Sequence, residues 1–121
     1  MKLQKLYLER LAEKLNNLSP EEKERMESVN EFAHDLLKQY DLEHIKFEFG
    51  HNRKYDGICH QDRIELDLFL ALNAPREVVR NIILHEIVHA LVDPDPYAGH
   101  GEKWQDKARE LGVTRERKYR K

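Results

Sequence analysis

The 121-residue sequence predicts an α+β domain in which a small antiparallel sheet packs on helices. Three observations predict it. Apolar residues recur at helical spacing from Leu3 to Leu37. Between His44 and Leu70 the period falls to two. From Pro75 the helical period returns, around two histidines and a carboxylate.

Leu3, Leu6, Leu8, Leu11, Leu15 and Leu18 define an amphipathic first helix. In "LSPEEKE" Ser19 suits an N-cap, Pro20 the first helical position, and Glu22 completes a capping box. A second helix is expected from Pro20 to Tyr40, with Met26, Val29, Phe32, Ala33, Leu36 and Leu37 inward. "HIKFEFG" alternates, with Ile45, Phe47 and Phe49 on one face. "KYDGICH" and "RIELDLFL" continue as short strands, broken at His51-Asn52 and Gln61-Asp62. Pro75 opens the next helix and "DPDP", from Asp93 to Pro96, stops it. A last helix runs from Gly101 to Leu111, with Gly112 as its C-terminal cap.

Composition narrows the class. Apolar residues make up 40% of the chain and charged residues 36%, as in a soluble globular protein. No apolar run is long enough to span a bilayer, so no membrane partner is expected. The charged, amphipathic start does not read as a signal peptide. Cys59 is the only cysteine, which excludes an internal disulfide and a cysteine-rich zinc ribbon, and the expected location is cytoplasmic. The net charge of −2 divides unevenly: Val113–Lys121 carries +4, leaving −6 on the first 112 residues. We therefore divide the chain into a domain over 1–112 and a basic tail over 113–121.

The chemistry concentrates in "ILHEIVHALVDPDPYAGHGEKW". On a helix, residues i and i+4 lie on one side, so His85 and His89 can put two imidazole nitrogens on one ion. A catalytic zinc takes three protein ligands, with nitrogen at about 2.0–2.1 Å, and keeps one open position. Glu86 follows the first histidine and projects beside such an ion, where it can take a proton from an activated water. Ile82, Ile83, Val88 and Leu91 would bury the helix while the His85/Glu86/His89 side faces a cleft. The motif leaves the third ligand open. His100 stands between Gly99 and Gly101, which permit a tight turn back over the metal; Asp93 and Asp95 are the acidic alternatives. The ordinary role of those aspartates is turn formation. Tyr97 is a candidate oxyanion donor, although a loop tyrosine more commonly packs.

Elsewhere the plain readings suffice. Cys59 reads as a small buried strand residue, and His34, His44, His51 and His60 as surface or turn residues. Arg53 and Lys54 read as a solvated turn. In the tail, Arg115, Arg117, Lys118, Arg120 and Lys121 surround Tyr119. That pattern offers phosphate contacts and a base-stacking ring to single-stranded DNA, or else a solvated terminus.

"LHEIVHAL" followed by "GHGEKWQDKARELG" resembles the SprT-like metallopeptidase domain, the type found in the Spartan protease. "YDGICHQDRIELDLFL" and "VNEFAHDLL" are similar to that family's hairpin and early helix, so the resemblance spans Met26 to Gly112. It implies a zincin-type active-site helix and a zinc-dependent peptidase acting on protein substrates, including proteins attached to DNA. It assigns zinc to His85, His89 and His100, and general base and acid duty to Glu86. Trp104 matches an aromatic that packs the last helix, whereas Asp67 stands where the family often has serine. Two rival readings remain: a repressor-cleaving HExxH peptidase with an acidic third ligand such as Asp93, and a non-proteolytic zinc-containing nucleic-acid-binding or adaptor protein. An extended substrate is expected to pair with an exposed edge strand of the sheet.

Overall fold

The two leucine-rich patterns at the start of the chain form helices α1 (Lys2–Asn16) and α2 (Pro20–Gln39) in the computed structural model, which describes residues 2–51, 55–92 and 101–113. The capping box forms as its sequence requires. Glu22 N donates to Ser19 Oγ at 3.1 Å and Ser19 N donates to Glu22 Oε1 at 3.0 Å. Lys14 Nζ lies 2.7 Å from Glu22 Oε2, tying the end of α1 to the start of α2 and holding the Glu22 carboxyl below its usual range. Val29, Ala33, Leu36 and Leu37 are buried; Met26 and Phe32 are half-buried.

Three strands follow: β1 (Lys46–Gly50), β2 (Gly57–Cys59) and β3 (Arg63–Asp67). Their spatial order is β1-β3-β2, and here the expectation of an antiparallel sheet is corrected. β2 pairs antiparallel with β3, but β1 pairs parallel with it, with Phe47 opposite Ile64 and Phe49 opposite Leu66. Successive strands do alternate in direction. The sheet is mixed because β3 inserts between its two predecessors. The central place falls to the strand with Ile64 and Leu66 both 1% exposed, while the three-residue β2 takes an edge. The inward face carries Phe47, Cys59, Ile64 and Leu66. The outward face carries Glu48, Arg63 and Glu65, where Arg63 reaches both carboxylates.

The apolar run after Asp67 is expected to continue the strand. Instead it forms a short helix, α3 (Leu68–Asn73), that periodicity did not show. The cause is Asp67, which ends β3 and caps α3: its Oδ2 accepts from Leu70 N at 3.1 Å. Serine performs the same capping task, so the departure at this position keeps the physical role. Helix α4 (Arg76–Val92) starts after Pro75, whose carbonyl accepts from Val78 and Val79. Helix α5 (Glu102–Leu111) ends at Gly112 in the left-handed conformation, φ 73°. Val113 then packs on the core and donates its N–H to Ala108 O at 2.8 Å. The core lies between α2, the inward face of the sheet and α4, with α5 closing α4 from another side. Among the described residues no helix is long and apolar enough to cross a membrane.

The cap generates a prediction. Asp67→Ala removes the acceptor for Leu70 N and the partner of His51 Nδ1 and should cost about 1–2 kcal/mol or more in urea unfolding, while Asp67→Ser should recover only the capping part of the loss. Equal stability of Asp67→Ala and the parent would show that the cap does not hold α3.

Candidate active site

Helix α4 is apolar on nearly every side, and every residue from Ile82 to His89 is buried. His85, Glu86 and His89 are 1%, 2% and 6% exposed. β2 packs on one flank of α4 and α5 on another. The histidine rings lie one turn apart, centroids 5.2 Å from each other and inclined at 61°. Trp104 of α5 meets both, at 4.7 Å from His85 and 5.6 Å from His89. Trp104 thus packs α5 as expected, and it does so directly on the two imidazoles.

Glu86 is rotated about 100° around the helix from His85 and turns towards β2. A Cβ at Gly57 would stand 3.4 Å from Glu86 Cγ and 3.0 Å from Ile82 Cγ2. Two residues along the same face of β2, Cys59 is 1% exposed. Burial pushes its thiol up to about 12, and the nearby Glu86 charge adds to the effect. One turn of α4 therefore sorts its chemistry between two walls, with imidazoles against α5 and carboxylate against β2.

This donor set fits a borderline-soft divalent cation such as zinc. Two imidazoles from positions i and i+4 lie side by side, and a carboxylate stands on the adjoining face. Among the described residues no group of three or more His, Cys, Asp or Glu side chains is arranged to hold an ion. The candidates for the third ligand, His100, Asp93 and Asp95, lie outside the described residues, as do Tyr97, Arg53, Lys54, and the tail residues Arg115, Arg117, Lys118, Arg120 and Lys121.

Two placements had no strong local signal. His51, read as a turn residue, is half-buried between Tyr7 and Phe69, and its Nδ1 lies 2.6 Å from Asp67 Oδ1. The partners are far apart in sequence and no spacing rule joins them. The contact between Gly57 and Glu86 was also unread, although an isolated glycine in a strand does signal close backbone approach. His34 and His44 are exposed, and His60 Nε2 pairs with Glu65 Oε1 at 3.0 Å on the outer face of the sheet.

The buried HExxH helix thus lies between a small mixed sheet and a further helix, in an α+β fold. The crystal structure of the metallopeptidase zymogen jannalysin of Methanocaldococcus jannaschii is similar, with a TM-score of 0.58 and 20% identity; the match covers 68% of this chain and 79% of that one. No curated protein matches the sequence. The SprT-like family profile matches residues 23–120, and the chain belongs to the SprT-like family.

The position of Cys59 is directly testable. With its ionisation raised to about 12, the folded thiol stays protonated where the unfolded chain ionises. Its contribution to stability is therefore complete below about pH 8.5 and is lost as pH rises towards the folded value. At pH 9 the native protein should react with iodoacetamide at least about a hundredfold more slowly than the urea-unfolded chain. Comparable rates would contradict the buried placement.

Proposed function

We propose that this chain is a zinc-dependent peptidase of the SprT-like type, hydrolysing peptide bonds in protein substrates. The observation that carries the reading is the buried turn of α4, where His85 and His89 lie side by side and Glu86 stands on the adjoining face. His85 and His89 hold the ion, with His100 as third ligand on the strength of the family motif. Zinc supplies Lewis acidity towards a peptide carbonyl and towards water. Glu86 takes the proton of the attacking water on its carboxylate and returns it to the departing amine. Trp104, tilted against both imidazoles, restricts their ring planes and keeps bulk water off that wall.

The substrate backbone has a natural track. β2 is an edge strand, and among the described residues no strand pairs with its outer side. The bonds from His60 N to Arg63 O and from Asp67 N to Asp56 O set the antiparallel register. In that register the main-chain groups of Gly57 and Cys59 point away from β3. An extended peptide pairing with them passes beside Glu86.

Zinc and catalysis are separable by experiment. The purified protein should bind about one zinc per chain, and His85→Ala, His89→Ala and His100→Ala should each weaken binding strongly. Full zinc retention by His100→Ala with loss in Asp93→Ala would replace the third ligand and favour the repressor-cleaving type. Glu86→Gln should keep zinc and fold while peptide hydrolysis falls by about two orders of magnitude or more; cleavage at the parental rate would remove Glu86 from the role of base.

We further propose that the basic tail gives local, salt-sensitive contact with single-stranded DNA; its charge of +4 supports this against an acidic domain. Because Val113 belongs to the packed core, the test is truncation after Val113. Removal should weaken single-stranded DNA binding at low salt and flatten its salt dependence, with zinc content unchanged. Equal affinity of the two chains would take the tail out of the function.

A further inference from the structure

At Gly57 edge strand β2 comes close to Glu86. A methyl group there would be 3.0 Å from Ile82 Cγ2, 3.3 Å from the Glu65 carbonyl oxygen and 3.4 Å from Glu86 Cγ. The Glu65 oxygen is main chain of β3, to which β2 is hydrogen-bonded, so it cannot retreat without carrying β2 along. Ile82 and Glu86 are one turn apart on the buried flank of α4, so they cannot swing away into solvent. An added Cβ must therefore press Ile82 aside or part β2 from α4, and either shift moves the wall against which Glu86 Cγ rests in van der Waals contact. Gly50 is the contrasting case: its added Cβ would meet only the Glu65 side chain, with Oε2 at its flexible end nearest at 2.8 Å. The backbone at Gly57 has no positive φ, so glycine is needed there for space and not for conformation.

We propose that Gly57 is a positioning residue for the reaction: the missing side chain lets edge strand β2 lie against Ile82 and Glu86, and this contact sets where the Glu86 carboxylate stands relative to a ligand on the strand. The proposal rests on reading Glu86 as the base. It differs from a packing role in one respect: the effect of filling the space must pass through Glu86.

A double-mutant cycle reads that coupling without an activity assay. The probe is acetohydroxamate binding to the zinc-loaded protein, since a hydroxamate chelates the ion and shares its proton with a neighbouring carboxylate. Gly57→Ala should weaken the probe about fivefold or more with zinc affinity unchanged, and Gly50→Ala should leave it unaltered. In the Glu86→Gln background, Gly57→Ala should add less than about a twofold loss. An additive loss, or no loss on Gly57→Ala alone, would overturn the proposal. If Gly57→Ala alone fails to fold, the cycle is run with Ile82→Leu, which removes the nearest methyl branch; the same non-additivity is expected. Failure of the underlying reading looks different: Glu86→Gln alone would then bind zinc and probe as the parent does.

Discussion

The interaction on which the rest of the structure depends is the burial of three polar side chains in a single turn of α4. Two imidazoles and a carboxylate, none more than 6% exposed, sit in a helix whose other buried residues are apolar. Taking such groups from water is costly unless their surroundings satisfy them. The fold packs each side of the turn with a different element. α5 brings the flat indole of Trp104 onto both histidine rings. β2 brings two small residues, Gly57 and Cys59, onto the carboxylate side. β2 can approach so closely because it is short, lies at the sheet edge, and has no side chain where it meets α4. Rigid elements on both sides give the preorganisation that a catalytic constellation requires.

The site helix was legible in the sequence because its signals are local. Histidines at i and i+4 with a glutamate between them, an apolar run and a proline at the start are all contained in one helix. The capping box of Ser19 and Glu22 and the left-handed Gly112 were legible for the same reason. What escaped reading was set by long-range contacts. Strand directions followed from the turns, but the insertion of β3 between β1 and β2 depends on which strand the core can bury most fully. Helix α3 was hidden in an apolar run whose first turn is decided by one side chain, Asp67. The pairing of His51 with Asp67, and of Gly57 with Glu86, joins residues that only the finished fold brings together.

Family and fold agree with the chemistry of the turn. Membership of the SprT-like family and a fold shared with a metallopeptidase locate the HExxH helix as the place of interest. The geometry adds a division within it. The faces that carry the two histidines and the carboxylate are about a sixth to a quarter of a helical circumference apart and are backed by different elements, so changes in α5 and in β2 should act on them separately.

The central claim is that the buried imidazoles of His85 and His89 hold the ion beside Glu86. X-ray absorption at the zinc edge of the loaded protein tests it most directly. The account predicts a shell of nitrogen and oxygen only, at about 2.0–2.1 Å, with imidazole scattering that diminishes when either His85 or His89 is replaced. A sulfur ligand at about 2.3 Å, or imidazole scattering unaffected by those replacements, would contradict it.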